Sequence, residues 1–239
     1  MISRNYLMLG FLLCLSLCCS MAVAQPSPRS ELLKEIEDLR AQLKQREEAF
    51  LSPSEQDRAA AAELLRQPDT GLIRLLPREE FDGKDKLTIR GGGAYYSFIR
   101  LTHEYGFGSD VQLQRGELSV GFAGADYGMV TNIGPVPLEG LALESPGVRF
   151  LSQYRPPAAE TSARSENSRF RKGVDEGDVT YKATVPVKEG ATYLLRSINY
   201  GDSDVLVGLH VLRRDTDGSV IIAWKMLKKY PVPELNKAE

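Results

Sequence analysis

Three patterns of apolar and polar residues follow one another along the chain. The first is a nearly unbroken apolar run from Tyr6 to Cys19, preceded by Arg4 and closed by Ala22-Val23-Ala24. A short positive start, an apolar stretch and small residues at −3 and −1 predict an export signal over 1–24, cut after Ala24. The competing reading is a retained anchor, since a membrane span needs roughly 17–20 apolar residues. The polar Gln25-Pro26-Ser27-Pro28 that follows favours cleavage. A lipid-attachment site wants a small residue before its cysteine, but Leu17 precedes Cys18 and Cys18 precedes Cys19.

The second pattern has a helical period and predicts a helical arm over 25–69. Leu32, Ile36, Leu39, Leu43 and Phe50 are spaced by 4, 3, 4 and 7, with Arg46 in the missing place. That is a short heptad seam. Glu35 falls at a g position and Arg40 at the next e, where a parallel partner would form an ion pair. The seam therefore offers self-association or docking of a protein partner through residues 29–50. The other reading is an amphipathic helix laid against the rest of the chain. Ser52-Pro53-Ser54-Glu55 reads as a capping box that opens a second helix. It runs through Ala59–Ala62 to about Gln67, where Pro68 and Gly71 stop it.

From Leu72 onward the period shortens to that of strands, with Gly, Pro and Asp between them. Strands are predicted at 72–76, 86–90, 94–102, 110–114, 117–123, 127–133, 147–154, 178–186, 191–200, 204–213 and 219–229. No helix-length crossover follows any of them, so the fold class is mainly β. About ten antiparallel strands suit a β-sandwich or a partly open barrel over 70–239. The last four strands read as a meander. Val205, Val207, Leu209 and Val211 share one face and Leu206, Gly208, His210 and Leu212 the other, so both faces call for cover. Residues 155–177 hold almost no large apolar side chains and are expected to form a long exposed loop.

Composition narrows the function. A chain with 42% hydrophobic and 26% charged residues is a globular one, and a net charge of −2 lacks the basic footprint of a nucleic-acid binder. All three cysteines, Cys14, Cys18 and Cys19, lie in the signal. A mature chain would hold no thiolate zinc site, no CxxC redox pair and no disulfide, and no membrane span. No cofactor motif is present. Gly91-Gly92-Gly93 lacks the setting of a nucleotide loop and reads as a bulge or close backbone approach.

Four groups remain as candidate chemistry. Tyr95, Tyr96, Tyr105 and Phe107 join apolar rings to polar tips, as a carbohydrate or cell-wall binding module requires, although strand cores use the same residues. His103 and Glu104 are the one place for a general acid/base pair, and hence for a hydrolase, but neighbours on a strand face opposite ways. His210 reads as a structural histidine. In a meander Asp175, Glu176 and Asp178 reach the same end as Asp202 and Asp204, a set that suits a hard cation or simply turns. The DTDG turn at 215–218 lacks the remaining ligands of a calcium loop. Arg164, Arg169, Arg171 and Lys172 form an interrupted basic run. The leading expectation is a non-enzymatic exported protein, with an arm for assembly or docking and a β-body that binds a partner or ligand.

Overall fold

A computed structural model describes residues 28–106, 108–122 and 124–236. The predicted signal, its cysteines and Phe107 lie outside the described residues. The chain divides into two units, Met1–Ala41 and Gln42–Glu239. Helix α1, Pro28–Leu51, begins in the first and ends in the second. Pro28 suits a first helical turn, and the run is rich in Leu, Glu, Lys, Arg and Gln, all good helix formers. It stops before Ser52-Pro53, because a residue that precedes proline is pushed out of the helical region.

The capping box lies two residues beyond its predicted place. Ser52 Oγ donates back to the Glu48 carbonyl at 2.7 Å, finishing α1. Ser54 is the cap: its Oγ accepts from Asp57 N at 3.2 Å, and Asp57 Oδ2 accepts from Ser54 N at 2.8 Å. The helix it opens is two short ones, α2 (Glu55–Ala60) and α3 (Ala62–Leu65), with the break at Ala61.

The remainder of the second unit is mainly antiparallel sheet. A five-stranded sheet has the order β1-β11-β10-β9-β5, from β1 (Thr70–Leu75), β5 (Tyr127–Gly134), β9 (Thr192–Asn199), β10 (Ser203–Arg214) and β11 (Val220–Lys229). A four-stranded sheet runs β2-β3-β4-β8, from β2 (Tyr95–Tyr96), β3 (Val111–Gln114), β4 (Glu117–Ser119) and β8 (Thr184–Pro186). β6 (Val174–Glu176) and β7 (Val179–Tyr181) form a separate pair. The β9–β10–β11 meander matches expectation, but 178–186 does not join it. That segment splits into β7 and β8, and β8 pairs with β4. The predicted strand 86–90 is not a strand, since Thr88 N and Oγ1 are both bound to the Glu47 carboxylate. Of 94–102 only β2 pairs as a strand, and Ser97 bridges Thr102 across a turn.

Both faces of the five-stranded sheet are buried. On one, Val205, Val207, Leu209, Val211, Ile222 and Trp224 share a core with Tyr96, Val111, Leu113, Leu118 and Val185 of the four-stranded sheet. The second face is covered by the segment predicted as strand and loop. Residues 147–154 form helix α5 (Val148–Gln153), and 155–177 contain helix α6 (Glu160–Lys172). Val148, Leu151, Ala163 and Phe170 from these helices pack with Leu194, Ile198, Leu206 and Ala223. A strand over 147–154 would alternate its side chains, whereas Val148 and Leu151 sit three apart on one helical face. The remaining short helix, α4 (Arg78–Phe81), follows β1.

The Gly91–Gly93 run has a steric cause. The three φ values are +84°, +59° and +73°, a succession of left-handed residues that side chains resist. A Cβ on Gly92 would also lie 2.6 Å from Asp82 N, and one on Gly93 2.5 Å from Leu51 Cδ2.

Candidate functional site

The most exposed apolar feature among the described residues is the α1 seam. In the first unit Leu32, Ile36 and Leu39 are 57%, 43% and 57% exposed, and neighbouring Leu33 is 61%. In the second unit Leu43 and Phe50 are 46% and 40% exposed. The residues of α1 that are buried are Glu47 and Leu51 instead. Glu47 accepts from Thr88 N and from Thr88 Oγ1, the latter at 2.7 Å. The Arg74 guanidinium lies 5.0 Å from the Phe50 ring centroid and donates to the Phe50 carbonyl at 2.9 Å. The C-terminal part of α1 is thus fastened by the Glu47 and Arg74 contacts, by buried Leu51 and by the Phe50 ring 6.0 Å from Phe81, while Leu43 stays largely exposed.

His103 and Glu104 do not meet. His103 Nε2 donates to the Arg74 carbonyl at 2.9 Å, and its ring lies edge-on to Tyr96 at 5.0 Å. Burial pushes its pKa down to about 4, so it is neutral. Glu104 is exposed and accepts from Arg90 N at 3.2 Å. Both line a cleft of about 640 Å³ with Lys44, Glu48 and Arg58, but no shared hydrogen bond makes them an acid/base pair.

The aromatic group separates as strand alternation requires. Tyr96 points into the core beside Phe98 at 5.3 Å, and burial raises its pKa to about 12. Tyr95 takes the other face with Tyr105 at 4.4 Å and Phe122 at 5.3 Å. Its hydroxyl accepts from Gln112 Nε2 at 3.1 Å, and it is only 3% exposed. Tyr105 is half-buried. A glycan-stacking face needs accessible rings, and neither Tyr95 nor Tyr96 offers one.

The five carboxylates are not gathered. Asp204 is buried against Arg196, Asp202 pairs with Arg100, and Asp175 accepts from Thr180 Oγ1 at 2.6 Å. Asp178 and Glu176 sit beside different clefts. Among the described residues no three His, Cys, Asp or Glu are grouped as a metal would need. The DTDG turn is an arginine clamp: Arg74 donates to Asp217 at 2.8 Å, and Arg213 pairs with Asp215 and with Asp57. The basic run lies along α6. Arg164 pairs with Glu160 and Arg169 with Glu166, and Arg171 bonds Asn167.

Arg196 and Asp110, both buried, have no place among the sequence-based candidates. Arg196 is 1% exposed; Nε and Nη2 reach Asp204 at 2.9 and 2.8 Å, and Nη1 reaches the Leu151 and Tyr154 carbonyls. The Tyr230 ring covers it at 3.8 Å. The one charged residue in the Thr192–Asn199 strand, with an aspartate across the hairpin, is the available signal. Asp110 is fully buried, accepting from Phe98 N at 2.7 Å and Asn199 Nδ2 at 3.1 Å. Burial raises its pKa to about 7, against those bonds. These groups tie segments together and leave no reactive atom exposed. His210 is half-buried with Nδ1 2.7 Å from Thr192 Oγ1.

The chain matches no family model, no curated protein and no solved structure among known proteins. No helix among the described residues is long and apolar enough to cross a membrane.

Proposed function

We propose that this is an exported, non-enzymatic protein that pairs with a second copy of itself through α1. In this reading the two larger sheets pack face to face as a β-sandwich and form the body that the pairing brings together. The observation that carries it is the solvent exposure of Leu32, Ile36, Leu39, Leu43 and Phe50 on one helix. Burying a leucine is worth about 1.5–3 kcal/mol, so a row of them in water favours a covering surface. A second copy fits because the seam is heptad-spaced and Glu35 and Arg40 complement each other at g and e in a parallel pair. Arg46 in the core of the seam and the small number of heptads keep the pairing weak and concentration-dependent. Export is supported by the apolar run and the Ala22-Val23-Ala24 ending.

Sedimentation of the chain from Gln25 onward tests the pairing. Dimer is expected to grow with concentration, and the triple variant Leu32→Ser, Ile36→Ser, Leu39→Ser is expected to stay monomeric. A wild-type chain that remains monomeric at hundreds of micromolar would overturn the reading.

A further inference from the structure

On β10, Gly208, His210 and Leu212 point to the face opposite the inter-sheet core. A Cβ on Gly208 would stand 2.9 Å from Leu141 Cδ1 and 3.0 Å from Leu138 Cδ2. The glycine thus lets the single 3-10 turn Leu138–Gly140 lie directly on the strand. Lys225 Nζ holds that turn in place, donating to the carbonyls of Glu139 at 3.1 Å and Leu138 at 3.4 Å. Ala61 and Leu64 close the opposite side. The result is an open cleft of about 250 Å³ whose walls are mostly apolar side chains, with His210 and Glu139 as its charged or titratable members.

The tautomer of that ring follows from its neighbours. Thr192 Oγ1 donates its single proton to the Val136 carbonyl at 2.5 Å. At the 2.7 Å contact with His210 Nδ1 it can therefore only accept, so Nδ1 carries the hydrogen. Nε2 is left as an acceptor, and no hydrogen bond to it is found among the described residues. With Nδ1 turned to Thr192, the ring edge available to the cleft is the one bearing Nε2. Burial lowers the pKa of His210, which keeps the lone pair free near neutrality.

We propose that this cleft binds a small, mainly apolar molecule with one hydrogen-bond donor, of the class of a simple phenol. An apolar cavity of about 150 Å³ admits benzene, so this volume accommodates one substituted ring. In this pose the apolar side chains contact one face of the ring, and the hydroxyl donates to His210 Nε2 rather than to Glu139. The site is independent of the α1 seam.

Ring-nitrogen NMR of the full chain, with p-cresol and p-xylene as probes, decides the matter. The free protein should show Nδ1 protonated and Nε2 unprotonated. p-Cresol should shift Nε2 and bind about three- to tenfold more tightly than p-xylene, the range one net hydrogen bond supplies. His210→Phe should bring the two affinities together, and Thr192→Val, which frees the tautomer, should narrow the gap. An Nε2–H tautomer, equal affinities in wild type, or a His210 ring that ignores p-cresol would each overturn the proposal. The wild-type readings stand even if a variant fails to fold.

Discussion

Helices α1 and α6 are both charged along most of their length, yet they use their few apolar residues in opposite ways. α1 leaves a heptad row of Leu, Ile and Phe largely in solvent and buries only Glu47 and Leu51. α6 has two buried residues, Ala163 and Phe170, spaced seven apart on one face. Phe170 lies stacked 6.2 Å from Tyr127 and edge-on to Tyr154 at 5.7 Å. A chain of hydrogen bonds, Tyr127 to Tyr154 to Glu166, then joins the helix to β5 at 2.7 Å per step. The amount of apolar surface on a helix therefore says little about whether its own chain covers it. What matters is whether a complementary surface is within reach.

The contrast breaks most severely at Phe170. Phe170→Ala removes a fully buried ring and should destabilise the protein by about 3–5 kcal/mol, read from urea unfolding. An effect below about 1 kcal/mol would mean that α6 is a loosely held surface helix. Glu47→Ala comes next. It removes the acceptor of the Thr88 N–H and hydroxyl, which water can reach because Thr88 is exposed, and should lower stability by about 0.5–1.5 kcal/mol. Its partner test is Glu47→Gln, which keeps an acceptor and should recover part of the loss.

Titration separates the body from the seam in another way. Asp110 has its folded pKa raised to about 7, so the folded state holds the proton more tightly. Its contribution is fully present below about pH 4 and is lost as pH rises toward 7. His103, lowered to about 4, acts in the opposite sense: stability falls as pH drops from about 6.5 toward 4. Asp110→Asn should remove its share and tilt the profile toward rising stability with pH between 4 and 7, the sense that His103 and His210 set, in thermal unfolding scans. An unchanged profile would remove Asp110 as a titrating group. The smallest effect belongs to the seam. Leu39→Ser at a concentration where the chain is monomeric should change stability by less than about 0.5 kcal/mol. A larger loss would show that α1 is covered from within the chain.

The elements that the sequence made legible are those whose side chains report a single local geometry. α1 follows from a helical period and good helix formers, and β9, β10 and β11 follow from alternation bounded by turns. The apolar character of both faces of β10 also foretold that something must cover each. What did the covering was not legible. The α5 segment reads as a strand because Val148, Phe150 and Leu151 are compatible with either period over six residues. The α6 segment reads as a loop because only Phe170 among its large side chains is apolar. Its helix is held by Glu160–Arg164 and Asn167–Arg171 pairs and by a single anchored ring.

The candidate chemistry divides along the same line. Strand alternation alone places Tyr95 and Tyr96 on opposite faces, and the spacing of Leu32 to Phe50 places them on one. Only the tertiary structure decides that His103 bonds to Arg74 rather than Glu104, that Asp204 belongs to Arg196, and that the DTDG turn holds arginines. The physical reason is the same each time. A local period sets the direction in which a side chain leaves the backbone, but its partner is chosen by segments brought close through burial of the sheet faces. The tautomer of His210 is such a choice, made by a threonine on the neighbouring strand and a carbonyl at Val136.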